Sequence, residues 1–162
     1  MHKYALSIIA VLAASAAGLS ALAADPGNRA CKIFTADMGQ SILGGPVKES
    51  SRNSEADTEM GKTWVSHAGY QLTGGDKSQV SVLIRHASTK EEARNVFDQS
   101  KATFKGVDVA GIGEAAYRTA SPPQLCVIKG PDWLIFMCGT LQAPNTAGQE
   151  KAAKMVLPKV TN

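Results

Sequence analysis

Three cysteines and three histidines are the side chains of this sequence best suited to chemistry, and their spacing limits what they could do. Cys126 and Cys138 flank a Gly130-Pro131-Asp132 turn signal. If Gly130 stands opposite Leu134, the two thiols face each other across one hairpin, within reach of a disulfide. That bridge would close a short loop and contribute roughly 3 kcal/mol by chain-entropy reasoning. The alternative is that Cys31 clips the N-terminal segment onto either strand. No Cys-x-x-Cys occurs, which argues against thioredoxin-type redox chemistry.

His2 lies at the very start, whereas His67 and His86 fall on neighbouring expected strands. Pairing Thr73 with Ser78 sets His67 opposite Ile84 and His86 opposite Val65, so both rings share a face. Two imidazoles could begin a Zn or Cu site, but no spacing marks the third or fourth ligand. They are read as exposed or hydrogen-bonded strand histidines, and no metal is expected.

Gly61-Lys62-Thr63 ends like a phosphate loop, yet Ala56 stands where that motif needs glycine and the stretch before it is polar. Gly111-Ile112-Gly113-Glu114-Ala115-Ala116 fits one form of a dinucleotide fingerprint without its βαβ setting, so its glycines are expected to make a turn. Asp108 and Glu114 read as solvated charges rather than an acid/base pair. No Gly-x-Ser-x-Gly, His-Glu-x-x-His or Ser-x-x-Lys arrangement stands in a usable setting. No catalytic residue and no cofactor are therefore expected.

The elements that must position these groups follow from pattern. Residues 35–43 suggest a helix capped by Thr35, with Phe34, Met38 and Ile42 on one side and Gly44-Gly45-Pro46 ending it. Residues 49–62 carry Met60 as their one large apolar side chain and read as a solvated loop. Residues 63–73 and 79–86 read as two strands around a Gly74-Gly75 turn cluster. Ser88 with Glu91 predicts a capping box, followed by a helix burying Ala93, Val96, Phe97 and Phe104. Residues 115–119, 124–129 and 133–139 read as three more strands, the last apolar nearly throughout and so covered. A final helix starts at Thr146-x-x-Gln149, buries Ala152, Met155 and Val156, and meets Pro158. The order α-ββ-α-βββ-α predicts an α+β fold, an antiparallel sheet of about five strands with helices packed on one face.

The chain has 162 residues, 44% hydrophobic, 6% aromatic and 19% charged, with a formal net charge of +3. That is one small domain. Its charge is too slight and scattered for a nucleic-acid binder, and its apolar content too high for a disordered chain. Residues 1–23 have a short positive start, an apolar run over 4–17 and an Ala21-Leu22-Ala23 site, the three-part pattern of a secretory signal. The rival is a retained membrane span, but the run is rich in Ala and weakly hydrophobic. Cleavage is expected, leaving residues 24–162 as a single domain without an integral membrane segment. No Asn-x-Ser/Thr acceptor occurs, which fits a bacterial periplasmic or secreted protein.

Cys31 ahead of Thr35-Ala36-Asp37, a short helix closing on Leu43-Gly44-Gly45-Pro46-Val47, the Ala68-Gly69-Tyr70 strand and the Gly111-to-Tyr117 turn form a recognisable series. With Glu92-Ala93, the hairpin over 126–139 and a final helix, it resembles a group of small secreted bacterial proteins and lipoproteins of unknown function. The resemblance implies a fold and an envelope location, and no catalytic residues. That group often has a second Cys shortly before the tyrosine, where this chain has His67 and Gly69.

These readings predict a non-catalytic binding protein. It would use the sheet face free of helices together with residues 49–62, with Trp64, His67, Tyr70 and His86 as candidate contacts. Core packing is the competing role for Trp64 and Tyr70. The partner would be an envelope protein, a peptide or a small ligand. An inhibitor or immunity-type protein that blocks a secreted enzyme through residues 49–62 is the alternative, and a small hydrolase a third.

Overall fold

The computed structural model describes residues 27–74 and 77–160. The expected signal segment, 1–23, lies outside them. The elements run α1 (Arg29–Ile33), α2 (Ala36–Leu43), β1 (Val47–Glu49), β2 (Thr58–Met60), β3 (Thr63–Leu72), β4 (Gln79–His86), α3 (Lys90–Thr103), β5 (Val107–Asp108), β6 (Ala115–Ala120), β7 (Pro123–Lys129), β8 (Asp132–Gly139) and α4 (Thr146–Val156). The strands form one open sheet in the order β1-β3-β4-β8-β7-β6-β5, with β2 also paired to β3. The α+β class stands, but the sheet has eight strands where about five were expected. The additional ones, β1, β2 and β5, are two or three residues long, too short for alternation to register.

The helices do not share one face. Val80, Val82 and Ile84 of β4, Leu125 and Val127 of β7, and Leu134 and Phe136 of β8 bury one side beneath α1, α2 and α4. Tyr117, Cys126, Ile128 and Trp133 bury the other side beneath α3, through Ala93 and Phe97. The reason is visible in β7 and β8, whose apolar residues fall on both parities and so need cover on both faces. Val96 and Phe104, expected in the buried stripe of α3, remain exposed.

Two registers differ from expectation, and in each the parity decides the outcome. Gln71 pairs with Gln79, so His67 stands opposite Leu83 and His86 opposite Trp64. This is a one-residue slip from the expected pairing, and it sends the two histidines to opposite faces. Around Gly130 (φ 57°) and Pro131, Lys129 pairs with Asp132, which sets Cys126 opposite Ile135 instead of Cys138. Cys126 lies on the α3 side, and Cys138 lies on the other, its Sγ against Gly148 of α4. Cys31 Sγ sits 3.8 Å from the Asn53 carbonyl. All three thiols are unbridged, contrary to the disulfide expectation.

Helix starts shift by one residue in two cases. Thr89 caps α3, with Glu92 reaching back to the Ser88 N–H, and Asn145 caps α4. Gly44 ends α2 in the left-handed conformation, as its sequence indicates, whereas Thr35 holds the N-cap position without a side-chain capping hydrogen bond.

Residues 49–62 are more than a solvated loop. β1 and β2 both pair with β3 on the edge away from β4, as two pieces of one interrupted strand. Between them, residues 50–57 stand opposite only residues 66–69 and fold out through a 3-10 turn, Ser51–Ser54. Where the strand is missing, buried side chains replace it. Asn28 donates to the carbonyls of His67, Asn53 and Glu55, and the Gly69 N–H donates to Asn53 Oδ1. Ser66 Oγ donates to Asn28 Oδ1 and accepts from the Ala30 N–H, locking α1 to the same gap. Amide side chains thus satisfy backbone groups that an unbroken strand would have satisfied.

Candidate functional site

One rung of the sheet carries an unbroken series of polar and aromatic residues. Glu59 on β2, Trp64 on β3, His86 on β4, Asp132 on β8 and Lys129 on β7 are successive cross-strand partners. Trp64 and His86 stack with ring centroids 5.0 Å apart and planes 7° from parallel. On the β2 side, the Arg29 guanidinium lies 4.8 Å from the Trp64 ring and pairs with Asp57 at 2.9 Å and Glu59 at 2.8 Å. His86 Nδ1 is 2.8 Å from Asp132 Oδ1. Burial pushes the Asp132 carboxyl above the ordinary carboxylate range, while His86 and Lys129 pull the other way. Lys129 Nζ donates to the carbonyls of Leu157 and Val160, each at 2.7 Å, and ties the last turn to the rung.

The rung borders a cleft of about 270 Å³ between β2, β3, β4 and the first turns of α3. Trp64, Val65, Trp133, Met60 and Val96 line it, with the Arg85 guanidinium 5.2 Å from the Trp133 ring. Met60 is 75% exposed and Val96 41%, so the rim is apolar and wet. A second hollow, about 550 Å³, opens over β1, β3 and β4 on the α3 side, beyond the reach of that helix. Its lining is mostly polar.

The four expected contact residues separate. Trp64 and His86 meet in the rung. His67 lies on the opposite face, in the polar hollow, with Nδ1 buried and without a hydrogen-bond partner. Burial holds its imidazole pKa below the ordinary value, and Arg52 adds to the effect. Tyr70 is a core residue, its hydroxyl donating to the Phe34 carbonyl at 2.9 Å and its ring edge-on to Phe34. Asp132, Arg29 and Trp133 join the site without having been singled out in the sequence. Asp132 reads as a turn residue after Gly-Pro, and only the strand register places it beside His86.

A buried carboxylate that fixes an imidazole is half of a nucleophile-activating set. Among the described residues, no Ser, Thr or Cys side chain bonds to His86, and no three of His, Cys, Asp and Glu gather as a metal set would. Among the described residues, no helix is long and apolar enough to cross a membrane. No family model, curated protein or solved structure matches the chain.

Proposed function

We propose that this is an exported bacterial protein, periplasmic or secreted, that works by binding and holds a protein or peptide partner at the tryptophan cleft. The carrying observation is the apolar rim, where Met60 and Val96 stand in water beside the Trp133 ring, with Val65 on the same face. At about 270 Å³ the cleft is smaller than the roughly 300–1,000 Å³ of small-molecule sites and suits one or two apolar side chains. The adjoining β2 has three exposed residues and pairs with β3 alone, leaving an edge against which an extended peptide can lie.

Panning a displayed peptide library on the purified protein tests this, with affinities then read from tryptophan fluorescence. Enriched peptides should carry large apolar residues, and Met60→Asp or Val96→Asp should weaken them at least about tenfold, or 1.4 kcal/mol. A library that yields no enriched sequence, or peptides indifferent to both substitutions, removes the proposal. A blocking role against a secreted enzyme would use the same segment. The anchoring of residues 50–57 by Asn28 and Asn53 supports it, since a rigid loop loses little entropy on binding.

A further inference from the structure

The polar hollow is a separate place with different chemistry. Its floor is two adjacent rungs of β3 and β4, Gln71 opposite Gln79 and Gly69 opposite Ser81. Met137 continues the second rung on β8, and Lys48 and Arg52 stand on the rim. Gly69 lets this floor close up: a Cβ there would lie 3.2 Å from both His67 Cε1 and Ser81 Cβ.

What distinguishes the hollow is the state of its polar groups. Elsewhere Arg29, Arg94 and Arg118 are each paired with a carboxylate, and Arg85 lies over Trp133. Among the described residues, the side chains of Lys48, Arg52, Gln71 and Gln79 make no hydrogen bond or ion pair. Two cations against Glu49 leave the rim with an excess positive charge. A guanidinium fork recognises carboxylate or phosphate in a bidentate manner. Paired carboxamides on neighbouring strands, about 5 Å apart, offer donors and acceptors at a spacing that suits successive hydroxyls. Met137 adds a small apolar surface for a C–H face. The volume, about 550 Å³, lies in the range of small-molecule sites.

We propose that this hollow binds a small hydroxylated ligand bearing one anionic group, a sugar acid or a sugar phosphate. The anion meets Arg52 and Lys48, and the hydroxyls meet Gln71, Gln79 and Ser81. This site stands independently of the tryptophan cleft.

Isothermal titration with glucuronate, glucose 6-phosphate and glucose tests the assignment and separates the two anionic sources. At least one anionic sugar should bind saturably and at least about tenfold tighter than glucose. Arg52→Ala should weaken it about tenfold and Gln79→Ala several-fold, while Met60→Asp in the other cleft leaves it unchanged. Both altered side chains are exposed, and circular dichroism checks that the fold is kept. No saturable heat with any of the three sugars overturns the proposal. So does glucose binding as tightly as the anions, or anion binding that survives both Arg52→Ala and Gln79→Ala.

Discussion

The carboxamide of Asn28 lies 2.9 Å from the carbonyl oxygen of His67, in the gap where β3 has no neighbouring strand. The same nitrogen serves two further carbonyls, and its oxygen accepts from the Cys31 N–H at 2.9 Å. Asn28→Ala leaves several buried groups without partners and should cost about 2–4 kcal/mol in urea unfolding. Asn28→Asp keeps the acceptor but sets a charge against three carbonyls, and should cost more. Equal stability of Asn28→Ala and wild type would show that the amide is not what holds the edge.

The strand registers predict three thiols in the purified protein, and the proposed export through an oxidising compartment should not change that. Alkylation in denaturant without reductant should add three labels. In the folded protein Cys31 should react slowly, because burial first, and then the charges of Glu49 and Asp57, push its thiol up to about 11. Roughly a thousandth of it is thiolate at pH 8. A mass two daltons short with only one label would contradict the register of β7 and β8.

Gly148 faces Cys138 so closely that a Cβ on it would overlap Sγ. Gly148→Ala should therefore destabilise by about 1–3 kcal/mol although alanine is the better helix former. Adding Cys138→Ala to that variant should recover part of the loss. Thermal melts of the single and double variants give the coupling directly, and strict additivity would exclude the contact as the cause.

Two buried groups give opposing pH dependences. His67 has a lowered pKa, so its contribution is complete above about pH 6.5 and is lost as pH falls toward the folded value. His67→Gln should flatten the acid side of the stability profile. Asp132 has a raised pKa, so the folded state favours its protonated form and stability declines as pH rises from the carboxylate range through the folded value. In Asp132→Asn that decline should vanish. Urea midpoints between pH 4 and 8 separate the two, and a profile unaltered by either change would remove both attributions.

Long elements were legible in the sequence, and the relations between them less so. β4 follows from clean alternation of Val80, Val82 and Ile84, and the end of α2 from Gly44-Gly45-Pro46. The positions of His67, His86, Cys126 and Cys138 depended on hairpin register, where a slip of one residue reverses the face. An odd shift in each hairpin, one residue between β3 and β4 and three between β7 and β8, separates the histidines and the cysteines that the expected registers join. β1 and β2 were hidden because β3 is completed there partly by asparagine side chains, which leave no periodic trace. The second helical layer could have been inferred from the doubly apolar β7 and β8. Asp132 carries no local mark of its partnership with His86.

The broken edge strand lets alignment and content vary separately. β1 and β2 hold their places on β3 on either side of the gap, so residues 50–57, apart from the buried Asn53 and the Arg29-paired Asp57, are a cassette whose composition can drift while the rest of the sheet keeps its alignment. The residues that clasp this cassette, Asn28 and Asn53, are the ones an evolving lineage would be least free to change.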